Sequence, residues 1–168
     1  MTRWAAAAVV GALLVTGCAR ERTVAGRPAP TFTLPDVREG RPDVDLAALT
    51  GTPVVLNFFA AWCDPCRREL PLLARTAQRL EGKVAFVGVD VQDSRSRATD
   101  LLAETGVTYP AAYDPRAAVA AGYKVYARLP ATFFIDAEGR IQDQALGEID
   151  AERLAKGLAT IGIETAGS

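Results

Sequence analysis

The sequence of 168 residues contains no histidine, and it contains only three cysteines. Without histidine the chain lacks the commonest metal ligand and the side chain that most often moves protons near neutral pH. The formal net charge is −1, so the composition shows no basic footprint of the kind that binds nucleic acid. The apolar stretch over residues 4–15 is shorter than the about 20 residues that a membrane-spanning helix needs. Cysteines and carboxylates are therefore the first candidates for nucleophilic attack and proton transfer.

Two of the cysteines, Cys63 and Cys66, form a C-x-x-C motif directly after the apolar run 53–60. That arrangement predicts a strand that leads into the first turn of a helix. Free N–H groups and the positive end of the helix dipole favour the thiolate of Cys63 at such a position. Cys63 would attack, and Cys66 would resolve the mixed disulfide that forms. The motif predicts thiol–disulfide exchange with no cofactor beyond the redox-active Cys63–Cys66 pair.

A C-x-x-C motif also occurs in zinc sites, haem-attachment sites and structural disulfides. Zinc would need two further nitrogen or sulfur ligands, and the third cysteine, Cys18, lies far upstream. Haem attachment needs histidine after the second cysteine, and Arg67 stands there. A structural disulfide stays open, although a strand-to-helix junction is an unusual place for one. The surrounding βα pattern favours a redox pair, and no metal site is predicted.

The hydrophobic pattern predicts one α/β domain with a mixed sheet covered by helices on both faces. A helical turn is expected at 45–49, and Pro71 falls inside the first long helix. The other expected elements are strands at 31–34, 54–60, 83–91, 132–136 and 140–145, and helices at 64–80, 94–105, 116–121 and 149–161.

These features resemble the thioredoxin fold in three places: Trp62 before the first cysteine, Pro71 eight residues after it, and Leu129-Pro130 ahead of a strand. The extra residues before Pro130 and the domain opening at 29–34 resemble the TlpA/ResA branch of that family. The resemblance implies a thioredoxin fold with an insert and an N-terminal extension. It also implies that Pro130 is cis and faces the dithiol, and that Trp62, Leu129 and Pro130 lie against the substrate.

The resemblance to this branch implies cysteine-containing exported proteins as substrates, among them apocytochrome c, and a membrane electron donor or acceptor for the dithiol. The first hypothesis is a reductant that acts in cytochrome c maturation. An oxidant that forms disulfides in exported proteins shares the same residues and differs in reduction potential. A thiol peroxidase is disfavoured, because that class carries threonine three residues before its cysteine and this chain has Ala60. A metal chaperone would need histidine and a wider cysteine spacing.

Proton transfer at Cys66 must use a carboxylate or water, since the chain has no histidine. Glu69 lies one helical turn beyond Cys66, and by resemblance it matches a glutamate near the thiols of ResA-type proteins. The alternative is that Glu69 is a solvated helix acid. Asn57 stands where thioredoxin carries a buried aspartate, and it cannot titrate. Asp90 and Asp93 follow a predicted strand and are expected in a solvated loop.

The beginning of the chain is typical of a signal peptide over residues 1–17, with Arg3 ahead of an apolar core. Its end, Leu14-Val-Thr-Gly-Cys18, resembles a bacterial lipobox, which implies lipidation of Cys18 by groups such as palmitate. Residues 18–29 are then expected to be a tether and residues 30–168 the thioredoxin-like domain. This hypothesis places the protein at the extracytoplasmic face of the bacterial cell membrane, held by lipid. The alternative is an uncleaved anchor with an incidental cysteine.

Overall fold

A computed structural model describes residues 25–125 and 128–165 of the chain. The predicted signal peptide and Cys18 lie outside the described residues. The strands are β1 (Arg27–Pro28), β2 (Thr33–Leu34), β3 (Val44–Asp45), β4 (Val54–Phe59), β5 (Ala85–Val91), β6 (Ala111–Asp114), β7 (Ala131–Ile135) and β8 (Arg140–Leu146). The helices are α1 (Asp64–Arg79), α2 (Arg95–Thr105), α3 (Ala118–Gly122) and α4 (Ala151–Thr160), with a 3₁₀ turn at Ala47–Leu49.

Six of the strands form one mixed sheet in the order β1-β8-β7-β4-β5-β6. The central strand β4 is parallel to β5 and antiparallel to β7, and β8 is antiparallel to β7. All six residues of β4 are buried, which explains why this strand is apolar with little alternation. The predicted mixed sheet with helices on both faces is confirmed.

Side chains of β4 alternate between two apolar clusters, one on each face of the sheet. Val55 and Phe59 pack with Leu70 of α1, Leu101 of α2 and Leu158 of α4. Leu56 and Phe58, on the opposite face, pack in a second cluster with Ala120 of α3 and with the segment around β3. Burial of each such side chain contributes about 1.5–3 kcal/mol to folding.

Helix α4 approaches the sheet closely because residue 157 is glycine. A Cβ atom there would lie 2.1 Å from Cζ of Phe134, whose ring is fully buried. No larger side chain fits between the helix and β7 without moving one of them. Gly157 therefore fixes the height at which α4 lies over the sheet.

Three strands, β1, β3 and β6, differ from the sequence-based expectation. β3 was not predicted, because it is only two residues long and is held by pairing with β2, and its Asp45 falls within the helical turn expected at 45–49. β6 was not predicted, because alanine and aspartate disfavour strands and this strand is held by its parallel pairing with β5. β1 falls within residues 18–29, the expected tether, yet Arg27 pairs with Ile141 of β8. Ordered structure in the described residues therefore begins upstream of residue 30.

Candidate active site

Four loops meet at one edge of the sheet. β4 and β5 run parallel and end there, β7 runs antiparallel to β4 and begins there, and β8 returns to the same edge. The loops at this edge are 60–63, 92–94, 128–130 and 147–150. The topology thus brings the C-x-x-C motif and the Leu129-Pro130 segment, which are far apart in sequence, to one edge of the molecule.

The two cysteines lie at the start of α1 and form a disulfide. Cys63 is the N-cap residue, and its Sγ accepts a hydrogen bond from the backbone N–H of Cys66 at 3.2 Å. Cys63 is 4% exposed, and Cys66 is completely buried. A donor aimed at Sγ of Cys63 stabilises negative charge on that sulfur in the reduced state. Of the two sulfurs, that of Cys63 belongs to the less buried residue and is the one that accepts a backbone N–H.

The peptide bond between Leu129 and Pro130 is cis, as the resemblance implied. The carbonyl oxygen of Pro130 accepts a hydrogen bond from the backbone N–H of Gly147 at 2.8 Å. This bond joins the loop before β7 to the loop after β8. The backbone of the Leu129-Pro130 segment is therefore held in place at the edge where the dithiol lies.

Two large apolar side chains are exposed in the part of the chain that the structure describes, and both lie at this edge. Trp62 is 53% exposed, and its indole N–H donates to the carbonyl oxygen of Gln92 at 3.2 Å. Leu146, the last residue of β8, is 49% exposed. Sequence reasoning identified Trp62 but missed Leu146, because nothing in its local pattern marks it as lying beside the site.

Glu69 is a buried residue of α1, so the alternative of a solvated helix acid is wrong. It is 2% exposed, and its two carboxylate oxygens accept from Asn57 Nδ2 at 2.7 Å and from the backbone N–H of Ile149 at 2.9 Å. Burial raises the pKa of Glu69 to about 7, although both hydrogen bonds oppose that rise. Glu69 can therefore gain or lose a proton near neutral pH.

Asn57 links Glu69 to the strand that follows Pro130. Its Nδ2 lies 3.0 Å from Oγ1 of Thr132, which is directly opposite on β7. Its Oδ1 is buried and has no hydrogen-bond partner among the described residues. If the amide turned over, Oδ1 would face Glu69 and accept a hydrogen bond from the protonated carboxyl. Thr132 was not identified from sequence, because its role depends on a strand pairing across 75 positions.

The arginines that follow the motif are paired with carboxylates. Arg67 forms an ion pair with Glu104 of α2, and Arg68 forms one with Glu148 at 2.6 Å. These pairs are exposed and contribute little to stability. Each nevertheless places an opposite charge beside the guanidinium, so the two arginines add little net positive charge near Cys63.

Asp90 and Asp93 are buried, so the expectation of a solvated loop is wrong for their side chains. The carboxylate of Asp93 accepts from the backbone N–H of Ala61 at 2.5 Å and from that of Ser94 at 2.7 Å. Asp90 precedes this loop at the end of β5. The loop after β5 is thus attached to the segment that leads into Cys63.

Within residues 25–125 and 128–165, no group of three or more histidine, cysteine or acidic side chains is placed to hold a metal ion. No helix in the same ranges has the length and apolar character needed to cross a membrane.

A family model described as the AhpC/TSA family matches residues 25–144. The chain belongs to the AhpC/TSA family. A thiol:disulfide interchange protein DsbE of Allochromatium vinosum is 35% identical over 136 residues, which cover 80% of this chain and 74% of the relative. A thiol-disulfide oxidoreductase ResA of Bacillus thuringiensis is 30% identical over 136 residues, which cover 80% of this chain and 77% of the relative.

Solved structures of similar proteins have the same fold. A structure described as a thiol:disulfide interchange protein DsbE of Chlorobium tepidum matches with a TM-score of 0.73 and 29% identity, and the match covers 82% of this chain and 98% of that one. A DsbF homologue of Corynebacterium diphtheriae matches with a TM-score of 0.71 and 31% identity, and the match covers 79% and 85%. The predicted membership of the thioredoxin-like superfamily is confirmed. This AhpC/TSA protein is a thiol–disulfide oxidoreductase of the ResA/DsbE type, with Cys63–Cys66 as its redox centre.

Proposed function

We propose that the protein reduces disulfides in exported proteins, apocytochrome c among them, from the extracytoplasmic face of the cell membrane. The observation that carries this proposal is the Cys63–Cys66 pair at the start of α1, with the carboxyl of Glu69 buried in the same helix. A membrane electron donor returns the pair to the dithiol after each cycle. Cys18, outside the described residues, supplies the lipid anchor.

The exchange proceeds in two displacements. The thiolate of Cys63 attacks a substrate disulfide, so that a Cys63–substrate S–S bond forms and the other substrate sulfur leaves and takes a proton. Cys66 then gives its proton to Glu69 and attacks Sγ of Cys63. The mixed disulfide breaks, the second substrate sulfur leaves as a thiol, and two electrons have passed to the substrate. The pKa of Glu69 near 7 suits a group that accepts and releases this proton.

Charges around the dithiol support the reducing direction. A strongly oxidising pair is one whose reduced form is stabilised, chiefly by favouring the thiolate. Here the cations nearest in sequence, Arg67 and Arg68, are paired with glutamates, and Asp64 lies between the cysteines. Beyond the helix start, little in this environment stabilises a thiolate. The dithiol is therefore expected to give up its electrons readily.

The exposed apolar side chains suit an unfolded or extended polypeptide as substrate. Trp62 and Leu146 lie at the same sheet edge as the dithiol, and Leu129 and Pro130 lie in the loop before β7. An exposed apolar surface of this kind favours contact with apolar residues beside a partner's cysteine. We assign substrate contact to Trp62, Leu129 and Pro130, and we add Leu146.

The reduction potential tests the direction of electron flow. We expect a value below about −250 mV, near that of thioredoxin, because the thiolate receives little stabilisation. Equilibration of the pair with glutathione or dithiothreitol buffers, followed by alkylation of free thiols, measures it. A value near about −120 mV would instead identify an oxidant that forms disulfides in exported proteins.

Cys18→Ser tests the lipid anchor. We expect the variant to be released from the membrane fraction or to keep its signal peptide, because the lipid is attached to that sulfur. Labelled palmitate incorporation and the mass of the mature chain provide the measurement. Cys66→Ser is the matched control, since it removes a thiol of the redox pair and should leave attachment unchanged. Full processing and unchanged membrane attachment of Cys18→Ser would end the proposal of a lipid anchor.

A further inference from the structure

The segment that leads into the dithiol is held by the loop after β5. The backbone N–H of Ala61 donates to the carboxylate of Asp93, and the indole of Trp62 donates to the carbonyl oxygen of Gln92. Gln92 has a φ of 51°, in the left-handed region that non-glycine residues seldom adopt. Tyr113 reinforces the loop by donating its hydroxyl to the carbonyl oxygen of Asp93 at 3.1 Å. The position of Cys63 therefore depends on the loop over residues 92–94.

Asp90, near the end of β5, lies next to this loop and has no part in the proposed exchange steps. Asp90 is 0% exposed, and neither of its oxygens has a hydrogen-bond partner among the described residues. In the sheet it stands between Phe59 of β4 and Tyr113 of β6. A buried carboxyl without partners strongly favours the neutral, protonated form.

The charged groups around Asp90 are of both signs. Burial is the largest cause and opposes ionisation of Asp90, as do Asp93 and Asp114, and together they outweigh Arg97 and Arg95, which favour it. The pKa of Asp90 is consequently raised to about 8. Arg97 is already bound to Asp93, with its Nη2 3.0 Å from Oδ1, and Arg95 lies over the ring of Tyr113. Both arginines therefore contact neighbours of Asp90, and neither forms a hydrogen bond with Asp90 itself.

We propose that Asp90 is a positioning residue for the dithiol. As a neutral acid it leaves Asp93 free to hold the N–H of Ala61. When it releases its proton to solvent, the second negative charge repels Asp93, and the loop that holds Trp62 and Ala61 loosens. The effect on Trp62 follows from the geometry alone, whereas its consequence for disulfide exchange rests on the proposed function.

The oxidised protein allows a clean titration. Its two paired cysteines do not titrate, and the chain contains no histidine. Its two tryptophans are Trp4 and Trp62, so Trp4→Phe leaves Trp62 as the only tryptophan emitter. In the full chain with that substitution, we expect tryptophan emission to change between pH 6 and 9.5 with a midpoint near 8. Asp90→Asn, which keeps the shape of the side chain but cannot ionise, should abolish the change.

Two further variants identify the group that titrates. Glu69→Gln should keep the transition near pH 8, because Glu69 titrates separately, near pH 7. Asp93→Asn, whose amide oxygen can still accept from the N–H of Ala61, should also abolish the emission change, because no negative charge is left at position 93 for Asp90 to repel. This variant tests the proposal even if Asp90→Asn does not fold. A transition that persists unchanged in Asp90→Asn or in Asp93→Asn would overturn the proposal. If the wild-type protein shows the Trp62 transition but does not reduce disulfides, the proposed function is refuted instead.

Discussion

Cys66→Ala is expected to accumulate mixed disulfides between Cys63 and exported proteins, while multiple turnover falls by roughly a thousandfold or more. The neighbouring thiol acts at a very high effective concentration, and its removal leaves resolution to slow encounters with thiols from solution. Cys63 keeps the N–H of residue 66 beside its sulfur, because that bond comes from the backbone. Attack therefore continues while release stops.

Cys63→Ala is the matched variant, because it retains Cys66, which is completely buried. We expect it to trap far fewer partners, since a substrate disulfide cannot reach that sulfur. Non-reducing electrophoresis of an affinity-tagged protein, with mass spectrometry of the captured chains, makes the comparison. The double variant Cys63→Ala/Cys66→Ala gives the background. Equal trapping by the two single variants would reverse or abolish the assigned order.

Glu69→Gln is expected to slow resolution of the mixed disulfide by about a hundredfold, the usual contribution of a positioned acid or base. In the wild-type protein the rate of this step should rise with pH and level off above about 7, as Glu69 loses its proton and becomes able to accept that of Cys66. The variant should lack this rise. The fold should persist, because the glutamine oxygen can accept from Ile149 and the Asn57 amide can turn its free Oδ1 towards the new N–H group.

Stopped-flow measurement of resolution from a preformed mixed disulfide, between pH 5.5 and 8.5, provides the test. Glu104→Gln is the control, since Glu104 is an exposed carboxylate of α2 that pairs with Arg67 of α1, the helix that carries Glu69. It should reproduce the wild-type profile. If Glu69→Gln shows the wild-type rates and pH dependence, water rather than Glu69 accepts the proton.

The elements predictable from sequence are those whose evidence is local. β4, α1 and the C-x-x-C motif between them are continuous in the chain, and their apolar spacing fixes both type and place. The burial of Asp90 and Asp93 was misjudged, because Asp90 is flanked by residues of β4 and β6 and Asp93 binds the N–H of Ala61, and neither neighbourhood is visible in the local sequence. β6 was missed because pairing with β5 holds it against its own weak propensity. The spacing of Glu69 suggested its place, but only the contact with Ile149 shows that it is enclosed.

The hydrogen bond between Ile149 and Glu69 determines when, during folding, the carboxyl of Glu69 becomes enclosed. Glu69 and Ile149 are separated by 80 positions, and the hydrogen bond between them forms only after β7 and β8 have joined the sheet. A chain that has not yet formed β8 therefore carries both cysteines before the carboxyl of Glu69 is enclosed. Until β8 is in place, that carboxyl faces water and ionises as an ordinary acid. In the proposed mechanism, proton transfer from Cys66 to Glu69 is thus available only at the end of folding, whereas the N–H of Cys66 can support the sulfur of Cys63 as soon as α1 has formed.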